Sequence, residues 1–181
     1  NTYEHAIFND AGDGPGRDVM AGLATLEKQE FIDVSRIAVS GWSYGGYMTS
    51  WLTGHYHVWK VAVSGAAVNS MVDAYNLSDF NVTQRFAFGG SPWKPQFAKA
   101  YNDQSPITFA GAITTPTLIL HDTGDARVPI TNSYAMYHAL KDNGVTVKFV
   151  AIPVAGHSPG DPVRASDVFR RWVEWIDQYM K

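Results

Sequence analysis

The chain contains no cysteine. That excludes disulfides, thiolate nucleophiles and zinc–sulfur sites. It has no basic block, and its net charge is only −3, so nothing in it addresses nucleic acid. No apolar run is long enough to span a bilayer, so no membrane contact is expected. There is no internal repeat, no low-complexity linker and no recognisable targeting segment. The one short histidine pair, His55-Tyr56-His57, lacks a carboxylate cluster beside it and reads as a surface turn rather than a metal site. What remains is a 181-residue chain, long enough for one domain with a real core. It carries six Trp, nine Tyr and nine Phe, which fill a core and also suit an apolar pocket.

Four apolar runs, at 37–40, 61–64, 117–121 and 147–152, read as strands buried on both faces, the signature of a parallel sheet. Helical periodicity separates them at 47–53, 131–143 and 162–180, and a further amphipathic helix is expected at 18–30. Thr131 is the expected N-cap of the helix at 131–143, with Gly144 just past its end. The last should turn Val168, Phe169, Trp172, Val173, Ile176 and Tyr179 inward and Arg170, Arg171, Glu174 and Asp177 outward. Residues 1–16, dense in Gly, Pro and Asp, read as loop. Alternating strands and helices give an α/β class with a mostly parallel, doubly wound sheet. Residues 66–110 break the rhythm and read as an insert that forms part of a substrate pocket wall.

The segment Gly41-Trp42-Ser43-Tyr44-Gly45-Gly46 sits between an expected strand and an expected helix. G-x-S-x-G in that context is a nucleophile elbow. Gly41 and Gly45 are the residues such a tight turn calls for. The turn presents the Ser43 hydroxyl as a nucleophile, and the Tyr44 N–H is placed to stabilise an oxyanion. A serine hydroxyl needs a base, and in this fold the partners follow in the order serine, acid, histidine. Two histidines lie beyond the acid loop. His138 has helical neighbours and reads as a surface residue, so His157, in a loop after a strand, is the expected base. Asp122 and Asp125 both follow the third strand, and spacing alone leaves both as the acid. His121, at a strand end, reads as a hydrogen-bonded structural residue.

The stretch 41–49, Gly-Trp-Ser-Tyr-Gly-Gly-Tyr-Met-Thr, resembles the elbow of the prolyl oligopeptidase family of serine peptidases, nearest its dipeptidyl-peptidase-like members. Further blocks agree: Asp33-Val34-Ser35-Arg36, Phe88-Gly89-Gly90-Ser91-Pro92-Trp93, Ser105-Pro106-Ile107, Gly124-Asp125-Ala126-Arg127-Val128-Pro129 and Gly156-His157. The resemblance runs from about Gly12 to the end of the chain. It implies an α/β-hydrolase catalytic domain and a triad of Ser43, Asp125 and His157, giving the acid role to Asp125. It also implies that Arg127 contacts a substrate carbonyl. Trp42 and Tyr75 join it as candidate substrate-binding residues, with Phe80, Phe86 and Phe88 as further pocket aromatics. Two further expectations follow: the first strands of the sheet and a second oxyanion donor lie upstream of Asn1, as does the family's β-propeller. An exposed sheet edge would then pair with that segment or with another copy. The expected chemistry is peptide-bond cleavage through an acyl-enzyme, with no metal or organic cofactor. The alternatives are a carboxylesterase on the same triad, acting on small esters, and an inactive carboxyl-terminal fragment.

Overall fold

The computed structural model describes residues 5–181; the first four residues of the expected amino-terminal loop lie outside them. In chain order the elements are α1 (Asp13–Leu26), β1 (Ala38–Trp42), α2 (Tyr44–His55), β2 (Val61–Gly65), α3 (Met71–Leu77), α4 (Asn81–Ala87) and α5 (Pro95–Asp103). A 3-10 segment (Pro106–Ala112) then leads to β3 (Thr117–Gly124), α6 (Thr131–Asp142), β4 (Val147–Ala155) and α7 (Pro162–Tyr179). The four strands pair in the order β1-β2-β3-β4, all parallel. Among the described residues no helix is long and apolar enough to cross a membrane.

The two central strands, β2 and β3, place their side chains in two apolar layers. By contrast β1 and β4, at the sheet edges, are only partly buried, contrary to the expectation for the runs 37–40 and 147–152. Val61, Val63, Leu118 and Leu120 pack against Val168 and Trp175 of α7 on one face. On the other, Val39 and Ala62 meet Tyr47, Met48, Trp51 and Leu52 of α2, and Ile119 meets Met136 and Leu140 of α6. Strands covered on both faces have no room for polar alternation, which is why the sequence shows them as continuous apolar runs. All four parallel strands end on the same side of the sheet, so the loops after β1, β3 and β4 converge there.

Several expectations need correction. The first helix starts at Asp13, five residues earlier than periodicity indicates, because Asp10 Oδ1 accepts the Gly14 N–H at 2.9 Å and Gln104 Oε1 accepts the Gly12 N–H at 2.8 Å. Pro15 is tolerated there, since first-turn N–H groups have no intrahelical partner to lose. Thr131 is the first residue of α6, and Ile130 is its cap. The 66–110 insert is helical: α3 and α4 have seven residues each, too short for a 3.6-residue period to stand out. On α7 the inward residues are Val168, Trp172, Trp175, Ile176 and, as expected, Tyr179, while Phe169 and Val173 are 63% and 55% exposed.

The rotation of α7 is testable. Val168→Ala is expected to lower unfolding free energy by about 2 kcal/mol, whereas Val173→Ala should stay within about 0.5 kcal/mol of the parent. Urea denaturation of both variants measures this; equal costs would contradict the packing.

Candidate active site

The turn between β1 and α2 holds Ser43 at φ 60° and ψ −120°, a conformation that costs a non-glycine residue about 1–3 kcal/mol. Two backbone hydrogen bonds hold it. The Ser43 N–H donates to the Gly65 carbonyl at 2.9 Å, and the Tyr47 N–H donates to the Ser43 carbonyl at 2.9 Å. The turn is tight enough that a Cβ on Gly41 would lie 2.4 Å from the Gly45 backbone, and one on Gly46 would lie 2.3 Å from the Gly65 carbonyl oxygen. A Cβ on Gly45 would meet nothing. The close-packed pair is therefore Gly41 and Gly46, not Gly41 and Gly45: residue 45 already points away on the first turn of α2. Tyr44 opens that helix, so its N–H has no carbonyl four residues back to bond. Its side-chain hydroxyl donates to the Ala11 carbonyl at 2.7 Å, and a cavity of about 590 Å³ opens beside it, bordered by Asp10, Arg17 and Asp18.

The loop after β3 presents Asp125. Its Oδ1 accepts the N–H groups of Arg127 and Val128, both at 2.9 Å. Its Oδ2 lies 2.7 Å from His157 Nδ1 and 3.3 Å from His121 Nε2. The side chain has no exposed surface. Burial alone would raise its pKa, but the hydrogen bonds from His121, His157 and the Val128 N–H more than reverse this and hold it well below the ordinary 3.8. Asp125 is thus a carboxylate that only accepts.

His157 comes from the loop after β4, just past Gly156 at φ 104°. The Gly156 N–H donates to the Gly124 carbonyl at 3.3 Å, tying the loop after β4 to the end of β3. Trp42 Nε1–H donates to the His157 carbonyl at 2.7 Å, tying the base loop to β1. Because Asp125 only accepts, the His157 proton sits on Nδ1. Nε2 is then the acceptor, and Ser43 Oγ lies 2.6 Å from it. Serine, imidazole and carboxylate form one hydrogen-bonded run drawn from three post-strand loops.

Asp122 is not part of that run. It shares the α7-facing side of β3 with Leu118 and Leu120, it is fully buried, and neither carboxylate oxygen has a hydrogen-bond partner. Burial, followed by repulsion from Asp125, raises its pKa. Of the binding candidates, Trp42 is half-buried with its indole on Gly65 and its N–H engaged by the base loop. Arg127 Nε donates to Asp79 Oδ1 at 2.7 Å and its guanidinium lies 4.7 Å from the Phe80 ring centre, so it faces the helical insert. Tyr75 accepts from Arg85 Nε at 3.1 Å and stands edge-on to Tyr101. Phe80 and Phe86 are exposed, but Phe88 belongs to the core against Tyr101, which removes it from any pocket lining. Sequence reasoning missed two links, Trp42 to His157 and His121 to Asp125. Neither has a sequence signature, because each joins residues whose contact depends on loop geometry.

Parallel sheet, helices on both faces, strained serine turn and convergent loops define an α/β hydrolase. The chain belongs to the prolyl oligopeptidase family, whose profile matches residues 1–181. It is 28% identical to the uncharacterized peptidase YuxL of Bacillus subtilis (strain 168), over 98% of this chain and 28% of that protein. It is 31% identical to the acylamino-acid-releasing enzyme of Arabidopsis thaliana, over 91% of this chain and 22% of that one. The structure of Pyrococcus horikoshii acylaminoacyl peptidase superimposes with a TM-score of 0.90 at 26% identity, covering 97% of this chain and 29% of that chain. The chain thus spans about a quarter of the length of these relatives.

Two outcomes follow. Gly41→Ala should cost about 2 kcal/mol or more, because backbone must move, while Gly45→Ala should be neutral or stabilising by up to about 1 kcal/mol; equilibrium unfolding distinguishes them. Asp122 has a folded pKa above its unfolded value, so its ionisation subtracts stability as pH rises from the unfolded pKa towards the folded one. Asp122→Asn removes that term. The melting-temperature gain of this variant should be smallest in acid, below the ordinary carboxylate range, and grow as pH rises through and above it; a pH-independent difference would show that Asp122 is not strained by its charge.

Proposed function

We propose that this chain carries the nucleophile, base and acid of a serine peptidase that cleaves peptide bonds through an acyl-enzyme. The observation behind this reading is the unbroken run from Ser43 Oγ to His157 Nε2 at 2.6 Å and from His157 Nδ1 to Asp125 Oδ2 at 2.7 Å. Family membership and relatives named as peptidases support a peptide substrate.

In this reading His157 Nε2 takes the Ser43 proton as Oγ bonds to the substrate carbonyl carbon. The Tyr44 N–H, at the positive end of α2, donates to the developing oxyanion. The carbon–nitrogen bond breaks as His157 returns the proton to the leaving amine. Water then attacks the ester on Ser43, losing its proton to His157, and the acid product leaves with Ser43 restored. Asp125 keeps the imidazole oriented and stabilises its cationic form throughout. The insert at 66–110 forms one wall of the substrate cleft. Arg127, paired with Asp79 of that insert, offers its remaining donors to a substrate carbonyl. The outer edge of β1, unpaired among the described residues, is where a further strand or a second copy would add.

The test compares a peptide p-nitroanilide with a matched p-nitrophenyl ester on the full chain and on Ser43→Ala. A stoichiometric p-nitrophenol burst and anilide turnover are expected, with turnover falling at least about 10⁴-fold in the variant. Ester cleavage without anilide cleavage would assign an esterase instead. Hydrolysis that survives Ser43→Ala would overturn the reading.

A further inference from the structure

His121 is fully buried at the end of β3, although it has no part in the proton transfers described above. Its Nδ1 lies 2.6 Å from Ser133 Oγ, and its Nε2 lies 2.8 Å from the Val128 carbonyl oxygen and 3.3 Å from Asp125 Oδ2. Ser133, on the first turn of α6, is also fully buried. The Val128 carbonyl can only accept, so His121 must carry its proton on Nε2. Nδ1 then holds a lone pair, and the Ser133 hydroxyl donates to it. The Nε2–H donates to the Val128 carbonyl, and the same ring nitrogen lies 3.3 Å from Asp125 Oδ2.

We propose that His121 is a positioning residue, whose Nε2–H end lies 3.3 Å from Asp125 Oδ2 opposite His157 and sets how strongly the carboxylate holds the His157 Nδ1 proton. This rests on the triad reading above. Asp125 Oδ2 thus has an imidazole on each side. One is the half-buried His157, which cycles its charge. The other, fully buried and fixed, presents its N–H end to the carboxylate and draws part of that charge away from His157. The Val128 carbonyl that His121 holds belongs to the same residue whose N–H bonds Asp125 Oδ1, so one imidazole fixes both the position of the acid and the hold it exerts. The other titratable or charged groups close to Asp125 are Asp122, at the end of β3, and Arg127, in the acid loop.

Removing the His121 donor leaves more of the carboxylate charge to His157. The His157 cation is then better stabilised. His121→Leu should move the acid limb of the kcat/KM pH profile upward by about half a unit or more. His121→Gln, whose side-chain amide can still donate near the Nε2 position, should return the limb to its parental place. Ester burst amplitude counts competent sites in each variant. A merely structural His121 would lower that amplitude and leave the limb where it was, and that result would overturn the proposal. Nitrogen-15 NMR of the unaltered chain gives a test that no folding defect can obscure: His121 should show a protonated Nε2 and an unprotonated Nδ1. The opposite tautomer, or a doubly protonated ring at neutral pH, would overturn it. If Ser43→Ala abolishes hydrolysis while the limb stays fixed in His121→Leu, the triad reading stands and this inference alone fails. Hydrolysis that persists in Ser43→Ala removes the reading on which it rests.

Discussion

One buried carboxylate holds the candidate site together. Asp125 accepts two N–H groups of its own loop on one oxygen and meets two imidazoles at the other. A dry carboxylate is tolerable only when it is fully hydrogen-bonded, and here the same bonds that satisfy the charge also fix geometry. They close the loop after β3, aim His157, and pin the end of β3 to the start of α6 through His121 and Ser133. The contrast lies three residues away. Asp122 is equally buried and has no partner on either oxygen. Two carboxyl groups on one short segment are thus driven in opposite directions by their surroundings, one held ionised and the other pushed towards its neutral form.

The sheet supplies the convergence that this carboxylate exploits. Four parallel strands end on one side, so residues 43, 125 and 157, far apart in sequence, arrive within hydrogen-bond reach. Two ties then remove the remaining freedom of the base loop: Trp42 holds the His157 carbonyl and Gly124 holds the Gly156 N–H. A hydrogen bond of this kind contributes only about 1 kcal/mol to stability. Its larger effect is on precision, since a base displaced by even an ångström loses its alignment with the hydroxyl.

Much of this was legible in the sequence, for identifiable reasons. The strands were visible because burial on both faces leaves continuous runs such as Thr117-Leu118-Ile119-Leu120. The elbow was visible because a strained serine turn demands glycine nearby, although the structure moves the second required glycine from 45 to 46. His157 stood out because the other histidine after the acid loop, His138, sits inside a helical pattern rather than in a loop after a strand. Spacing left the acid between Asp122 and Asp125, because the apolar run stops at His121 although β3 continues to Gly124, so Asp122 reads as a loop residue when it lies within the strand. The start of α1 was hidden because its cap comes from Asp10 and from Gln104, 92 residues away. The orientation of α7 was misjudged because Phe169 and Val173 carry the apolar period on past the buried stripe. The helices of the insert are too short to announce themselves, and their aromatics divide between core and surface in a way that only packing decides.

The central claim is that Ser43 is a nucleophile made reactive by this hydrogen-bonded run. The most direct measurement is to treat the folded chain with a fluorophosphonate and map the adduct by tandem mass spectrometry. The account predicts one phosphonyl group per chain, on Ser43, with labelling slowed by protonation of His157 at acid pH and suppressed in His157→Gln. Labelling spread over several serines, or a folded chain whose Ser43 is never modified, would contradict it.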